Sequence, residues 1–212
     1  MLESRVMSKA RARKIKLILF DVDGVLTDGK IWIFPAPAGV EQASSSQAGS
    51  LLANSSPDPK DSAFGVTVSL IEAKGFNAHD GAGVSLARLA GIKTGLITKR
   101  ISETVALRAR DLKMDHVHQG IQDKARVFQQ ILSKEVISAA EAAFVGDDVI
   151  DLPVMRRCGL SVAVKNARRE VKAEAHWITP HAGGDGAARD VIEYVLKAQG
   201  KWKKAVSDYI GE

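Results

Sequence analysis

The chain has 212 residues, 45% hydrophobic and 26% charged, a balance that supports a buried core and excludes wholesale disorder, a collagen-like repeat and a disulfide-stapled scaffold. No apolar run approaches the ~20 residues of a membrane-spanning helix, and the single cysteine, Cys158, excludes an internal disulfide and a Cys-rich zinc site and fits a cytoplasmic protein. The formal charge of +5 is confined to residues 1–16, where Arg5, Lys9, Arg11, Arg13, Lys14 and Lys16 face only Glu3; the rest of the chain holds 24 basic and 24 acidic residues. That segment reads as a basic, solvated arm, with contact to RNA or anionic lipid as the alternative, so neither a nucleic-acid nor a membrane partner is expected.

Leu17–Phe20 is a short apolar run stopped by two carboxylates, the form of a buried parallel strand whose C-terminal end meets an active site. Lys30–Phe34 is a second extended segment. Between residues 34 and 63 lie four of the six prolines and seven serines with few charges, the composition of a long flexible insertion. Gly65–Ile71 then alternates in strand fashion, which predicts a β-hairpin carrying the insertion at its tip. Val84–Ala90 predicts a helix closed by Gly91, followed by a strand over Lys93–Ile97. Ser102 is a candidate N-cap for a second helix ending near Leu112. His116 and His118 read as loop residues.

Lys124–Leu132 predicts a third helix, Ala142–Val145 a buried strand, Leu152–Arg157 a helix and Ser161–Val164 a strand. Val171–Ala175, Trp177–Thr179 and Gly186–Gln199 follow as helix, strand and closing helix. The alternation predicts an α/β fold, a parallel sheet with helices on both faces, in which ligands bind beyond the carboxyl ends of the strands. The expected organisation is a tail over 1–16, one domain over 17–200 and a C-terminal tail over 201–212.

Each conspicuous polar cluster falls just after a predicted strand. In Asp21-Val22-Asp23-Gly24-Val25-Leu26-Thr27, two carboxylates one residue apart can serve as nucleophile and as general acid then base, with Gly24 permitting the sharp turn behind them. The carboxylates of Gly146-Asp147-Asp148-Val149-Ile150-Asp151 would repel one another without a cation, and their hard oxygens suit Mg²⁺.

These motifs resemble the haloacid dehalogenase (HAD) superfamily of phosphotransferases, with a Rossmann-like fold and the first motif DxDGxxT. Thr98, after the apolar Leu96-Ile97, matches its second motif; Lys124 is the candidate for the third, and residues 146–151 match the fourth. The resemblance implies that Asp21 attacks phosphorus, that Asp23 protonates the leaving alkoxide and then activates water, and that Thr98 and Lys124 steady the phosphoryl group. It places Mg²⁺ between the Asp21 carboxylate, the Asp23 carbonyl and Asp147, with Asp148 or Asp151 completing the shell.

A narrower resemblance spans nearly all of the chain after residue 16. Residues 20–29, Phe76-Asn77, Asp80-Gly81, Gly83, Leu89-Ala90-Gly91-Ile92, Arg100, Arg108-Ala109, residues 146–155, Gly183-Gly184, Arg189 and Ala198-Gln199-Gly200 are similar to the 3-deoxy-D-manno-octulosonate 8-phosphate (KDO 8-phosphate) phosphatase family. That family is capless and tetrameric, with a β-hairpin and the C-terminal tail of neighbouring copies shaping the site. The resemblance implies a homotetramer acting on a small sugar phosphate and assigns substrate contacts to Asp23, Asn77, His79, Asp80, Gly81, Arg100, Arg108 and Lys124. This sequence has Lys99 where the family has glycine, and His79 and Asp185 where it has arginine. A related nonulosonate phosphate is therefore an alternative substrate, and a noncatalytic scaffold is the alternative of another class.

Overall fold

A computed structural model describes residues 2–35 and 70–212. Residues 36–69, which include most of the expected insertion and of the Gly65–Ile71 strand, lie outside the described residues. In chain order the strands are β1 (Leu17–Phe20), β2 (Trp32–Pro35), β3 (Leu70–Ala73), β4 (Lys93–Ile97), β5 (His116–His118), β6 (Ala142–Gly146), β7 (Leu160–Ala163) and β8 (Trp177–Ile178). The helices are α1 (Leu2–Ala12), α2 (Ala78–Leu89), α3 (Glu103–Asp111), α4 (Lys124–Glu135), α5 (Leu152–Met155), α6 (Arg169–Glu174), α7 (Ala187–Ala198) and α8 (Trp202–Ile210).

Two compact units divide the chain, residues 31–73 and the remainder. The larger holds a six-stranded sheet ordered β5-β4-β1-β6-β7-β8, every pair parallel. Its central strand β1 lies between β4 and β6, so all four residues are buried and both faces of the strand are apolar. Helices α1, α2 and α7 pack together in one layer, and α4, α5 and α6 associate in another; β4 and β7 each touch helices of both. The edge strands β5 and β8 have only three and two residues, which limits the unpaired backbone they expose. Between β4 and β6 the chain is occupied by α3, β5 and α4, so among the described residues no cap is inserted there, in keeping with the expected capless α/β fold. The smaller unit is the antiparallel hairpin β2–β3, with Trp32 opposite Ala73 and Phe34 opposite Ile71.

Three expectations are corrected. The N-terminal segment is not a solvated arm: it forms α1, Ser8, Ala12 and Ile15 are buried, Ser8 Oγ lies 2.7 Å from Tyr194 Oη and Arg11 Nη1 donates to Gly159 O at 2.9 Å. Its many cations hide a small-residue face that packs on α7. Residues 201–212, expected as a C-terminal tail, are likewise helical and packed. They form α8, whose Trp202 ring is approached by the Arg189 guanidinium at 5.1 Å and the Lys197 ammonium at 5.0 Å, with Ala205 buried. His116 and His118 lie in β5 rather than a loop, and buried His116 Nε2 is 2.9 Å from Glu135 Oε1.

Helix α2 begins six residues before the predicted Val84. Asn77 caps it, its Oδ1 accepting from His79 N at 2.8 Å, and Asp80, Gly81 and Gly83, which lie ahead of the predicted helix, are in its first turns.

Candidate active site

Parallel pairing brings three predicted residues to one end of the sheet. Asp21 follows β1, Thr98 follows β4 and Asp147 follows β6, and β1 is hydrogen-bonded to both of the other strands. Pairing extends into the site, with Asp21 N donating to Val145 O at 2.9 Å and Thr98 N to His118 O at 2.9 Å. Lys124 enters from the first turn of α4, which Asp123 caps.

Asp21, Thr98, Lys124 and Asp151 are all buried. The Lys124 ammonium lies 2.9 Å from Asp21 Oδ2 and 2.7 Å from Asp151 Oδ1, while Asp21 Oδ1 accepts from Val22 N at 2.7 Å. Asp151 Oδ2 accepts from Asp147 N at 3.0 Å and from Asp148 N at 3.4 Å, so one carboxylate fixes both the lysine and the acidic turn. Carboxylate oxygens of Asp21, Asp147 and Asp151 lie within 4.8 Å of one another.

Three carboxylates face one ammonium, and their protonation reflects it. Burial, then the charges of Asp151 and Asp21, push Asp147 up to about 7. Burial and Asp151 raise Asp21 to about 6 against the pull of Lys124. Burial disfavours the Lys124 charge, but Asp151 and Asp21 outweigh it and its pKa is raised, so the ammonium persists. Asp147 Oδ1 is buried without a hydrogen-bond partner. An unpartnered hard oxygen in an excess of buried negative charge fits a divalent cation. Gly24 makes the cluster possible: at φ +87° it turns the chain, and a Cβ there would stand 2.2 Å from Asp147 Oδ2.

Asp23, half-buried on the same turn, pairs with buried Lys74 and lies 3.7 Å from Arg100 Nε. The sequence reading missed Lys74, although it stands just before the quoted Phe76-Asn77 pair and ends a stretch of few charges. Exposed Asp148 caps its own turn, Oδ1 accepting from Val149 N at 2.7 Å, and is outside the three-carboxylate cluster.

The remaining substrate candidates are distributed differently. Asn77 Nδ2 donates to Gly184 O at 3.4 Å, and Gly184 N donates to Val25 O at 3.0 Å, which ties the α2 cap to the catalytic turn. Asp80 is buried and accepts from Arg189 N at 2.8 Å, joining α2 to the start of α7, and burial raises its pKa. The Arg108 guanidinium packs against Gly81, donates to Asn77 O at 3.5 Å and lies 5.9 Å from the Phe76 ring centre. Exposed His79 lines a groove of about 340 Å³ with Asp185, His181 and Arg189.

Residues 96–190 match the family model described as haloacid dehalogenase-like hydrolase. The KDO 8-phosphate phosphatase KdsC of Escherichia coli K12 is 35% identical over 196 residues, covering 92% of this chain and 87% of that protein. Among solved structures, a HAD superfamily (subfamily III A) hydrolase of Legionella pneumophila is similar at a TM-score of 0.80 and 30% identity, covering 100% of this chain and 98% of that one. The Moraxella catarrhalis KDO 8-phosphate phosphatase, solved with magnesium, phosphate and KDO, superposes at a TM-score of 0.75 and 29% identity over 95% of this chain and 97% of that one.

Proposed function

The chain belongs to the KDO 8-phosphate phosphatase family of haloacid dehalogenase-like hydrolases, and from that premise we propose that it hydrolyses KDO 8-phosphate to KDO and phosphate with Mg²⁺ as cofactor. Phosphatase chemistry itself comes with the family. The observation that carries the reading is the buried cluster of Asp21, Lys124, Asp147 and Asp151 at the carboxyl ends of β1 and β6.

In this reading an Asp21 carboxylate oxygen attacks phosphorus, and the sugar alkoxide leaves with a proton from Asp23. Asp23 then takes a proton from water, whose oxygen attacks the aspartyl phosphate, breaks the phosphorus–oxygen bond to Asp21 and releases phosphate. Lys74 and the nearby Arg100 hold the Asp23 side chain beside its turn; Asp23 takes up from solvent, as substrate binds, the proton that it delivers to the alkoxide, and regains one from the attacking water. Lys124 keeps Asp21 as an anion aimed from a fixed position, and Thr98 offers its hydroxyl at the end of β4. Asp21, Asp147 and Asp151, with the Asp23 carbonyl, would hold Mg²⁺, which when bound neutralises phosphoryl charge as a Lewis acid.

Two further parts belong to this reading. A homotetramer joined through the hairpin accounts for the exposure of Ile31, Trp32, Ile33 and Phe34, since a two-stranded hairpin with apolar side chains on both faces is marginal alone. Cys158, buried and pushed up to about 12 by burial, needs no oxidising compartment and suits the cytoplasm.

A related nonulosonate phosphate is the second reading, and one observation favours it. His79 and Asp185, far apart in sequence, line the same groove, so a single part of the surface carries two of the three departures from the family pattern. The test is Mg²⁺-dependent phosphate release over a panel of sugar phosphates, with Asp21→Asn as control. Preferred turnover of KDO 8-phosphate, lost in the variant and in chelator, supports the first reading. Preference for a nine-carbon sugar-acid phosphate supports the second, and absence of turnover with metal-loaded protein sinks both.

A further inference from the structure

Asn166, in the loop after β7, joins two backbone segments that meet at the catalytic turn. Its Nδ2 donates to Gly24 O at 3.3 Å and its Oδ1 accepts from Gly183 N at 2.7 Å. These segments are in close apposition, since a Cβ on Gly183 would come within 1.7 Å of Gly24 O. Two residues further along the Asn166 loop, Arg168 N donates to Asp147 O at 2.8 Å. One five-residue stretch, 164–168, therefore holds the backbone directly after Asp23 and the backbone of Asp147. The Gly24–Asp147 separation leaves no room for even a methyl group, so the relative placement of these segments is sensitive to small shifts.

We infer that Asn166 is a positioning residue for phosphoryl transfer, acting by fixing the Asp23-Gly24 turn against the Gly183 segment and against Asp147. The inference rests on the roles given above to Asp21 and Asp23. Misplacement of a reacting group by a fraction of an ångström to one ångström lowers the chemical step far more than ground-state binding. The shorter of the two bonds uses the side chain as an acceptor, which aspartate would retain and alanine would not. Asn166 is itself exposed, so truncating it removes two bonds without opening a cavity in the core.

The experiment measures steady-state kinetics and thermal stability of the Mg²⁺-loaded full chain with KDO 8-phosphate, or with the sugar phosphate that it turns over best. Asn166→Ala is expected to lower kcat at least tenfold with KM within twofold, and Asn166→Asp to recover at least a third of wild-type kcat. Ser161→Ala, which breaks the partly buried 2.7 Å contact between Ser161 Oγ and His176 Nδ1 away from the turn, controls for lost stability and is expected to keep kcat within twofold. Asn166→Ser, too short to reach both segments, replaces the alanine variant should that one not fold. Wild-type kcat in the truncated variant, or an equal loss in Ser161→Ala, overturns the inference. Failure of the underlying reading is distinguished by Asp21→Asn, which would then retain turnover.

Discussion

Lys124 Nζ lies 2.9 Å from Asp21 Oδ2 in a site where both side chains are almost fully buried. The lysine also bonds Asp151, so its removal would leave two buried carboxylates facing each other and Asp147 without a counter-charge. Breaking a buried pair of this kind costs roughly 3–5 kcal/mol because the remaining charge is uncompensated. Lys124→Met is therefore expected to lower both stability and kcat, the latter by at least about a hundredfold. Calorimetry and steady-state assays check it; an active, fully stable variant would remove Lys124 from the mechanism.

The cluster also sets a pH dependence. Asp147 is raised to about 7 and Asp21 to about 6 from an ordinary 3.8, so between roughly pH 4 and pH 7 the metal-free folded state binds more protons than the unfolded one. Stability associated with these groups is thus full below about pH 4 and lost as pH rises through about 7. Asp147→Asn removes that dependence at one position, so the metal-free variant should gain on the wild type in melting temperature as pH goes from 5 to 8. Mg²⁺ should reverse the order, raising the wild-type melting temperature most at the higher pH. A wild-type-to-variant difference that stays flat across this range contradicts the protonation scheme.

Much of this arrangement was legible in the sequence because apolar strands and polar clusters alternate in register. The expected strand Lys93–Ile97 is β4 without change, and Asp21, Thr98 and Asp147 each follow the strand expected to carry them. What escaped was set by tertiary contact. In α2, Asp80, Gly81 and Gly83 resemble a turn locally, and only packing against Arg108, Arg189 and the start of α7 makes them helical. In the N-terminal segment the cations dominate composition, whereas burial is decided by Ser8 and Ala12 in α1 and by Ile15 just after it. Lys74 lies 51 residues from Asp23 along the chain and Asn166 142 from Gly24, separations that no local pattern reports.

Gly24 offers a test of how closely the turn and the acidic cluster are packed. At φ +87° an alanine is strained by ~1–3 kcal/mol, and its Cβ would stand 2.2 Å from Asp147 Oδ2. Gly24→Ala should therefore displace the Asp147 carboxylate, weaken the Mg²⁺-induced rise in melting temperature and lower kcat at least tenfold. Titration of Mg²⁺ against melting temperature separates the two effects: strain alone lowers stability with or without metal, whereas displacement lowers metal affinity. Wild-type Mg²⁺ affinity in the variant would show that Asp147 is not confined by the turn.

Removal of residues 1–15 distinguishes a docked helix from a solvated arm. Ile15 is almost fully buried, a contribution of ~1.5–3 kcal/mol, and the Ser8–Tyr194 and Arg11–Gly159 hydrogen bonds add about 1 kcal/mol each. For a chain of this length a loss near 3–5 kcal/mol lowers the melting temperature by roughly 6–20 °C. A solvated arm would leave it unchanged. The site lies at the carboxyl ends of the strands and α1 packs on α7 and β7, so kcat measured well below the melting transition should stay within about threefold of the full chain. Unaltered melting would mean that α1 contributes nothing to the core, while lost activity at full stability would tie this helix to catalysis instead.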